Sequence, residues 1–297
     1  MTLKNASACF TIFWPVCLVI GIALSGCHTP PPATGVSACT GQSSNGQIVQ
    51  AHAVFTVAES KRLIAKAVAK MPVVQDALRN GMVIVCKGTT NTYVAEQLLG
   101  RKIPHGAFVI GNITPEKAGK SLPKVQPMPE VVLVKGQLRT DLTLDQALQL
   151  LAPGDVVMKG GNALDYANQT VGVWTGSASG GTAGKIMPLI AARKSRLVIP
   201  IGLEKLVPGR VEEIANKTTQ PAESLTTIPR MRVLRGQVVT EIEALKILAN
   251  VDAFQASAGG IGGAEGAVWL IWRGTRENVE KARQIAASLQ GEEAFVP

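Results

Sequence analysis

Past residue 48 the chain alternates short apolar runs with segments of helical pattern. AHAVFT (Ala51 to Thr56) precedes AESKRLIAKAVAKM (Ala58 to Met71), and MVIVC (Met82 to Cys86) predicts a buried strand feeding a helix over TNTYVAEQLL. Gly106 to Ile110 and Val131 to Val134 predict two more strands, and Leu144 to Leu151 a short helix that runs through Pro153-Gly154 into a strand at Asp155 to Met158. Val171 to Trp174, a helix over Ala183 to Arg193 and the strand RLVIPIG (Arg196 to Gly202) follow. Strands that are apolar throughout and separated by helices indicate an α/β fold, a mostly parallel sheet with helices on both faces.

After a polar stretch from Asn216 to Thr227 the pattern changes to strand Met231 to Leu234, helix Glu241 to Leu248, strands Asp252 to Ser257 and Ala267 to Trp272, and helix Arg276 to Leu289. This β-α-β-β-α order predicts a C-terminal ferredoxin-like α+β module, with Ala294 to Val296 as a last strand. The expected division is an α/β domain over 48–225 and the smaller module over 226–297. Between the module's adjacent strands, Ala258 to Gly266 (AGGIGGAEG) reads as a mobile hairpin loop, which could also act as a lid; it lacks both the spacing and the following helix of a dinucleotide fingerprint.

The first 47 residues have a different character. Lys4, an apolar stretch from Phe10 to Leu24 and then Leu24-Ser25-Gly26-Cys27 form a charged start, a short apolar core and a small-residue end. That is the pattern of a cleaved secretory peptide, too short to span a bilayer comfortably. The Leu-Ser-Gly-Cys sequence resembles the lipobox of bacterial lipoproteins. The resemblance implies cleavage after residue 26 and a diacylated, palmitate-bearing Cys27 as the new N-terminus. The alternatives are a plain secretory peptide with an incidental cysteine, or an uncleaved anchor helix. Residues 28–47 (HTPPPATGVSACTGQSSNGQ) have no apolar period and read as a tether from Cys27 to the folded body. The expected location is the cell envelope, anchored to a membrane on the exported side. His28 stands where an Asp would retain many lipoproteins in the inner membrane of Gram-negative cells, which favours the outer membrane there.

The formal charge is +9 and drops to +8 with the loss of Lys4. A basic chain suits anionic headgroups or a pocket for phosphates and carboxylates, or serves solubility alone. Scattered basic residues, 4% aromatics and the export signal argue against nucleic acid as a partner. Cys39 in the tether and Cys86 at a strand end do not make a disulfide framework, and an unpaired, buried Cys86 is expected. His28, His52 and His105 fit no ligand spacing, so no metal is expected, and no motif calls for an organic cofactor.

Three glycine-containing loops follow predicted strands, where open α/β sheets place ligands. In the first, Lys87, Gly88, Thr89, Thr90 and Thr92 combine helix N-terminal N–H groups, hydroxyls and a cation, a cradle for phosphate or carboxylate; the same threonines could equally be helix caps. In the second, Lys159, Gly160 and Gly161 allow a close backbone approach beside a charge, or only a turn. The third contains Gly180, Gly181 and Thr182 within GSASGGTAGK (Gly176 to Lys185). It fails the Walker A pattern, since Ser179 occupies the first Gly position and Ile186 follows Lys185, but it could still form an anion-binding nest. No nucleophile elbow, zinc-binding helix or Cys/His pair is present. Glu96, Asp155, Asp165 and Glu204 lie near predicted strand ends and could act as bases or as caps and ion-pair partners. Trp174, Trp269 and Trp272 sit in apolar runs and are expected in the core.

VIVCKGTTNTYVAEQLL resembles the strand, Gly-Thr-rich loop and helix that open ribose-5-phosphate isomerases and the related sugar-phosphate isomerases and CoA transferases, and DVVMKGGNAL resembles their Lys-Gly-Gly segment. The resemblance implies an α/β body with an appended ferredoxin-like lobe, a phosphate loop at Gly88, Thr89, Thr90 and Thr92, and a substrate-contacting Lys159. The Asp-Gly-Ala-Asp-Glu segment that supplies those isomerases' carboxylates has no counterpart between Gly100 and Asp155. What the resemblance implies is therefore the fold and a small anionic ligand, with any catalysis left open. The rival expectation is a non-catalytic envelope lipoprotein that acts through a protein partner.

Overall fold

The computed structural model describes residues 47–111, 113, 114 and 125–296; the leader, Cys27, Cys39 and the tether as far as residue 46 lie outside the described residues. β1 (Val49–Phe55) leads into α1 (Val57–Lys70) through a capping box, in which Thr56 Oγ1 accepts from Glu59 N at 3.3 Å and Glu59 Oε2 accepts from Thr56 N at 2.9 Å. Pro72 opens α2 (Pro72–Asn80), where its missing N–H costs nothing. β2 (Met82–Val85) is followed by α3 (Thr89–Leu99), which stops at Gly100 in the left-handed conformation. The chain continues through β3 (Val131–Val134), β4 (Gln137–Leu138), α4 (Leu144–Gln149), β5 (Val156–Met158), β6 (Ala163–Asp165), β7 (Thr170–Thr175), α5 (Gly181–Arg193) and β8 (Arg196–Pro200). A 3-10 turn at Leu203–Lys205 precedes α6 (Val211–Lys217), β9 (Arg230–Arg235), β10 (Gln237–Val239), α7 (Glu241–Ala249), β11 (Asp252–Ala258), β12 (Val268–Gly274) and α8 (Arg276–Ala287).

Among the described residues these strands form three sheets. The largest is mixed and largely parallel, in the order β10-β8-β5-β2-β3-β4, with β10, β8, β5 and β2 parallel and β3 antiparallel to β2. Its continuous apolar runs are buried on both faces, as expected for parallel strands. Val83, Val85, Val156, Met158 and Val198 join one cluster with Ile64 and Val68 of α1, Val74 of α2 and Val94 of α3. Ile84, Val157, Leu197 and Ile199 join another, which takes in Leu148 of α4 and Ile186 of α5.

The two smaller sheets rearrange the expected partition of the chain. β9, the expected first strand of a C-terminal module, pairs instead with β7 in the antiparallel sheet β6-β7-β9, and β10 joins the large sheet beside β8. The strand that does join the β11–β12 hairpin is β1, antiparallel to β12 from Val49↔Gly274 to Phe55↔Val268. Its alternating pattern buries Phe55 with Leu270 and Trp272 in the cluster that includes Leu245 of α7 and Ala282 of α8, and packs the half-buried Ala51 and Ala53 against it. The opposite sheet face leaves Val54, Phe254 and Trp269 exposed, so Trp269 is not a core residue, whereas Trp272 is fully buried. Residues 106–110 form a turn and an irregular segment where a strand was expected, with Gly106 at φ 91°, and Ala294 to Val296 are not a strand. The glycine-dense segment is the β11–β12 hairpin loop.

The segment after α8 is tied across α1 and α3. Arg62, on α1, reaches Glu96 of α3 at 2.5 Å and Glu292 at 2.7 Å, and its guanidinium lies 4.5 Å from the Tyr93 ring centroid. Phe295 stacks on His105 at 4.4 Å, and Gly291 N donates to Glu59 Oε1 at 3.1 Å. Glu96 is buried and has a second duty, accepting from Ile103 N at 2.9 Å. Removing Arg62 would strand that carboxylate. Urea unfolding of Arg62→Ala should show a loss of about 3 to 5 kcal/mol, whereas Lys102→Ala, at the exposed end of the same network, should lose less than about 1 kcal/mol. Equal losses would show that the buried pair does not fasten this segment.

Candidate functional site

The four parallel strands end at Val85, Met158, Pro200 and Val239, and the ladder holds these ends side by side. Past the strands proper, Cys86 N donates to Met158 O at 2.9 Å, Lys159 N to Val198 O at 3.1 Å, and Ile201 N to Val239 O at 3.1 Å. The loops after β2, β5, β8 and β10 are thereby fixed as neighbours. At β2 the chain first turns to one side to make β3 and then crosses to the other for β5. Parallel sheets open their binding crevices at the carboxyl ends of strands where connections diverge in this way.

The first two predicted loops meet there. Asn91 uses both amide hydrogens, donating to Cys86 O at 2.7 Å and to Met158 O at 3.2 Å, and so ties α3 to the ends of β2 and β5. Its Oδ1 is left buried and unpartnered, as is Thr90 Oγ1. Gly88 precedes α3 without a side-chain cap, and the N–H groups of Thr89, Thr90 and Asn91 have no acceptor among the described residues. Thr92 does not cap, since its hydroxyl donates back to Gly88 O at 2.9 Å. Lys87, Gly88 and Thr89 are half-buried, and a Cβ built on Gly88 would meet nothing nearer than Asn91 Cβ at 3.9 Å, so the turn is open at this point.

Lys159 is buried at 8% exposure, and its Nζ makes no hydrogen bond or ion pair among the described residues. Burial, reinforced by the charge of Lys205, pushes its pKa below the ordinary lysine value against the opposing pull of Cys86 and Glu130. Burial pushes the Cys86 thiol up to about 12, so it is a neutral neighbour and not a thiolate counter-ion; it is a free cysteine, as expected. The glycines beside Lys159 serve packing. A Cβ on Gly161 would lie 2.1 Å from Val171 Cγ1, and one on Gly160 would lie 3.3 Å from Pro200 O. Their missing side chains let the loop pass between β7 and the end of β8.

The third loop stands apart. Gly180 at φ 84° and Gly181 at φ 55° start α5, Thr182 is half-buried in its first turn, and a Cβ on Gly180 would lie 2.9 Å from Arg232 Nε. Among the described residues no hydrogen bond or ion pair joins this turn to Lys159 or Thr90.

Three of the four candidate acids have structural duties. Asp155 accepts from Met82 N and Ala152 N, both at 2.7 Å, Glu96 pairs with Arg62, and Asp165 accepts from Asn168. Glu204 instead belongs to a second polar group at the ends of β8 and β10, which sequence reasoning missed apart from this residue. Glu204 lies 3.3 Å from Lys205 Nζ. Glu241, fully buried, accepts from Leu203 N at 2.9 Å through Oε2 and leaves Oε1 unpartnered. Burial, with repulsion from Glu204, raises its pKa to about 7 against the hydrogen bonds it accepts. Lys61 of α1 is lowered to about 8 by burial and by Lys205, with Glu204 opposing, and its ammonium lies 5.4 Å from the Phe295 ring centroid. The sequence placed Glu241 only as the first residue of an expected helix, which gave no sign of its burial.

The arrangement thus holds four buried or half-buried lysines, Lys61, Lys87, Lys159 and Lys205, near the carboxyl ends of these strands, beside unfilled donors at the start of α3. Positive charge and open N–H donors suit negative charge, and burial brings the Lys61 amine to about 8 and the Glu241 carboxyl to about 7. Two surface cavities lie elsewhere, one of about 640 Å³ lined by residues such as Thr218, Leu225 and Arg230, and one of about 460 Å³ lined by Met71, Asp76 and Arg196. Among the described residues no cluster of three or more His, Cys, Asp or Glu could hold a metal ion, and no helix is long and apolar enough to cross a membrane. Comparison with protein-family models, with curated proteins and with solved structures finds no match to this chain.

Glu241 carries a pH signature. Between the ordinary carboxylate range and about 7 the native state keeps a proton that the unfolded chain has lost, so stability falls as pH rises across that window. The slope is at most about 1.4 kcal/mol per pH unit for one proton. Lys61 acts in the opposite sense, adding stability as pH rises from about 8 toward its ordinary 10.5. Glu241→Gln retains an acceptor for Leu203 N and should flatten the decline between pH 5 and 7. An unchanged slope in urea titrations would show that Glu241 is ionised there.

Proposed function

We propose that this protein is an exported, lipid-anchored α/β protein that holds a small anionic metabolite, phosphorylated or carboxylated, at the carboxyl edge of its large sheet. The observation that carries this reading is the start of α3, where three backbone N–H groups and the buried Thr90 hydroxyl, all without partners among the described residues, stand in one turn. Asn91 fastens that turn to the end of β5, where Lys159 follows. A helix N-terminus attracts negative charge through its exposed N–H groups and dipole, and a nearby cation adds to the field. An anion bound there would also favour the ammonium form of Lys159, which burial alone disfavours. The likeness of these two segments to sugar-phosphate isomerases points to the same ligand class. The lipid anchor rests on the Leu-Ser-Gly-Cys sequence at residues 24–27.

A second reading, a non-catalytic envelope lipoprotein acting through a protein partner, is favoured by one feature. The outer face of the β1-β12-β11 sheet exposes Val54, Trp269 and Phe254, and apolar groups gathered on one sheet face suit a docking surface.

A thermal-shift series with inorganic phosphate, sugar phosphates, nucleotides, CoA esters and small carboxylates separates the two. Binding should stabilise the native state by about 2.7 kcal/mol at a hundredfold excess over Kd. The stabilisation should shrink in Thr90→Val and Lys159→Met. A flat response to every class, together with a stable protein partner recovered by crosslinking, would favour the second reading.

A further inference from the structure

We propose that Lys159 is a carbonyl-reactive amine, and that the ligand is a phosphorylated aldehyde or ketone whose phosphate sits at the start of α3 and whose carbonyl carbon forms an imine with Lys159 Nζ. The inference rests on the anion-binding reading above and adds to it the identity of the reacting group.

A lysine that only anchors an anion works best as a solvated or ion-paired ammonium. Lys159 is buried, lacks a carboxylate within ion-pairing distance among the described residues, and has a neutral thiol as a close neighbour. Burial without a counter-ion favours the free amine over the ammonium, and the free amine carries the nucleophilic lone pair. Fixed positive charge is available without Lys159, from the N–H groups that start α3 and from Lys205. The site therefore has anion-holding groups besides this amine. The ladder bond from Lys159 N to Val198 O and the packing of Gly160 and Gly161 fix the backbone that carries this amine.

The step balances without a redox partner. The amine lone pair forms an N–C bond to the carbonyl carbon, the π pair moves to oxygen, and a proton passes from nitrogen to that oxygen to give a carbinolamine. The hydroxyl then takes a second proton and leaves as water while nitrogen completes the C=N bond. The sum is one amine, one carbonyl and one proton giving one protonated imine and one water.

The test uses the full chain with dihydroxyacetone phosphate and sodium borohydride, whose hydride reduces the imine to a stable secondary amine that peptide mass mapping can locate. The expected result is one adduct per chain on Lys159, suppressed by excess inorganic phosphate and absent when unphosphorylated dihydroxyacetone replaces the probe at the same concentration. Lys159→Arg should lose the adduct. A phosphate-induced shift in the unaltered protein without any adduct would overturn the imine and leave the anion site standing. Absence of both shift and adduct would overturn the two together. Adducts spread over surface lysines, or undiminished in Lys159→Arg, would also overturn the assignment of Lys159.

Discussion

The backbone ladder that runs one residue past the parallel strands is the constraint on which the site depends. Cys86 on Met158, Lys159 on Val198 and Ile201 on Val239 are ordinary N–H···O bonds, each worth about 1 kcal/mol net. Their importance is positional. They continue the sheet register into segments that would otherwise be free loops, so residues more than 70 positions apart in sequence arrive at one edge with their backbones fixed. Asn91 performs the same service from the helix side, spending both amide hydrogens on carbonyls at the ends of β2 and β5. Side chains on such a frame need little reorganisation to meet a ligand.

The frame also accounts for the unusual electrostatics. Lys61, Lys159, Glu204, Lys205 and Glu241 come from α1 and from the ends of three strands, and burial is the leading influence on each shifted member. Lysines move down and the glutamate moves up because in each case the charged form is the one denied water. A solvated surface of the same composition would show neither effect. The Arg62 network on the neighbouring α1–α3 face behaves differently, because there each buried charge has an opposite partner in contact.

Much of this was legible in the sequence, and the part that was not has a common cause. Apolar runs such as MVIVC and RLVIPIG announce parallel strands, and the loops following them contain Thr90 and Lys159. Local pattern does not say which strands pair. β1 alternates like any half-buried strand, and only the register Val49↔Gly274 reveals that it belongs with β12. β9 is an apolar-polar strand compatible with either small sheet. Gly160 and Gly161 illustrate a further limit, since a glycine pair beside a lysine reads as a ligand cradle until Val171 and Pro200 are seen filling the space. Lys61 and Glu241 gave almost no advance signal, because a lysine or glutamate in an amphipathic helix is ordinarily solvated, and only tertiary packing removes the water.

The pairing of β1 with β12 bears on how the chain must be made. The strand nearest the start of the described fold finds its partner only after some 200 further residues exist, so the β1-β12-β11 sheet cannot close while the chain is still emerging. Until Val268–Gly274 appears, Val49–Phe55 presents an unpaired edge with Phe55 uncovered. The β1-β12-β11 sheet is therefore the part of the fold that closes last. Any product cut short before residue 268 would keep a sticky first strand, and quality control could recognise it by that edge.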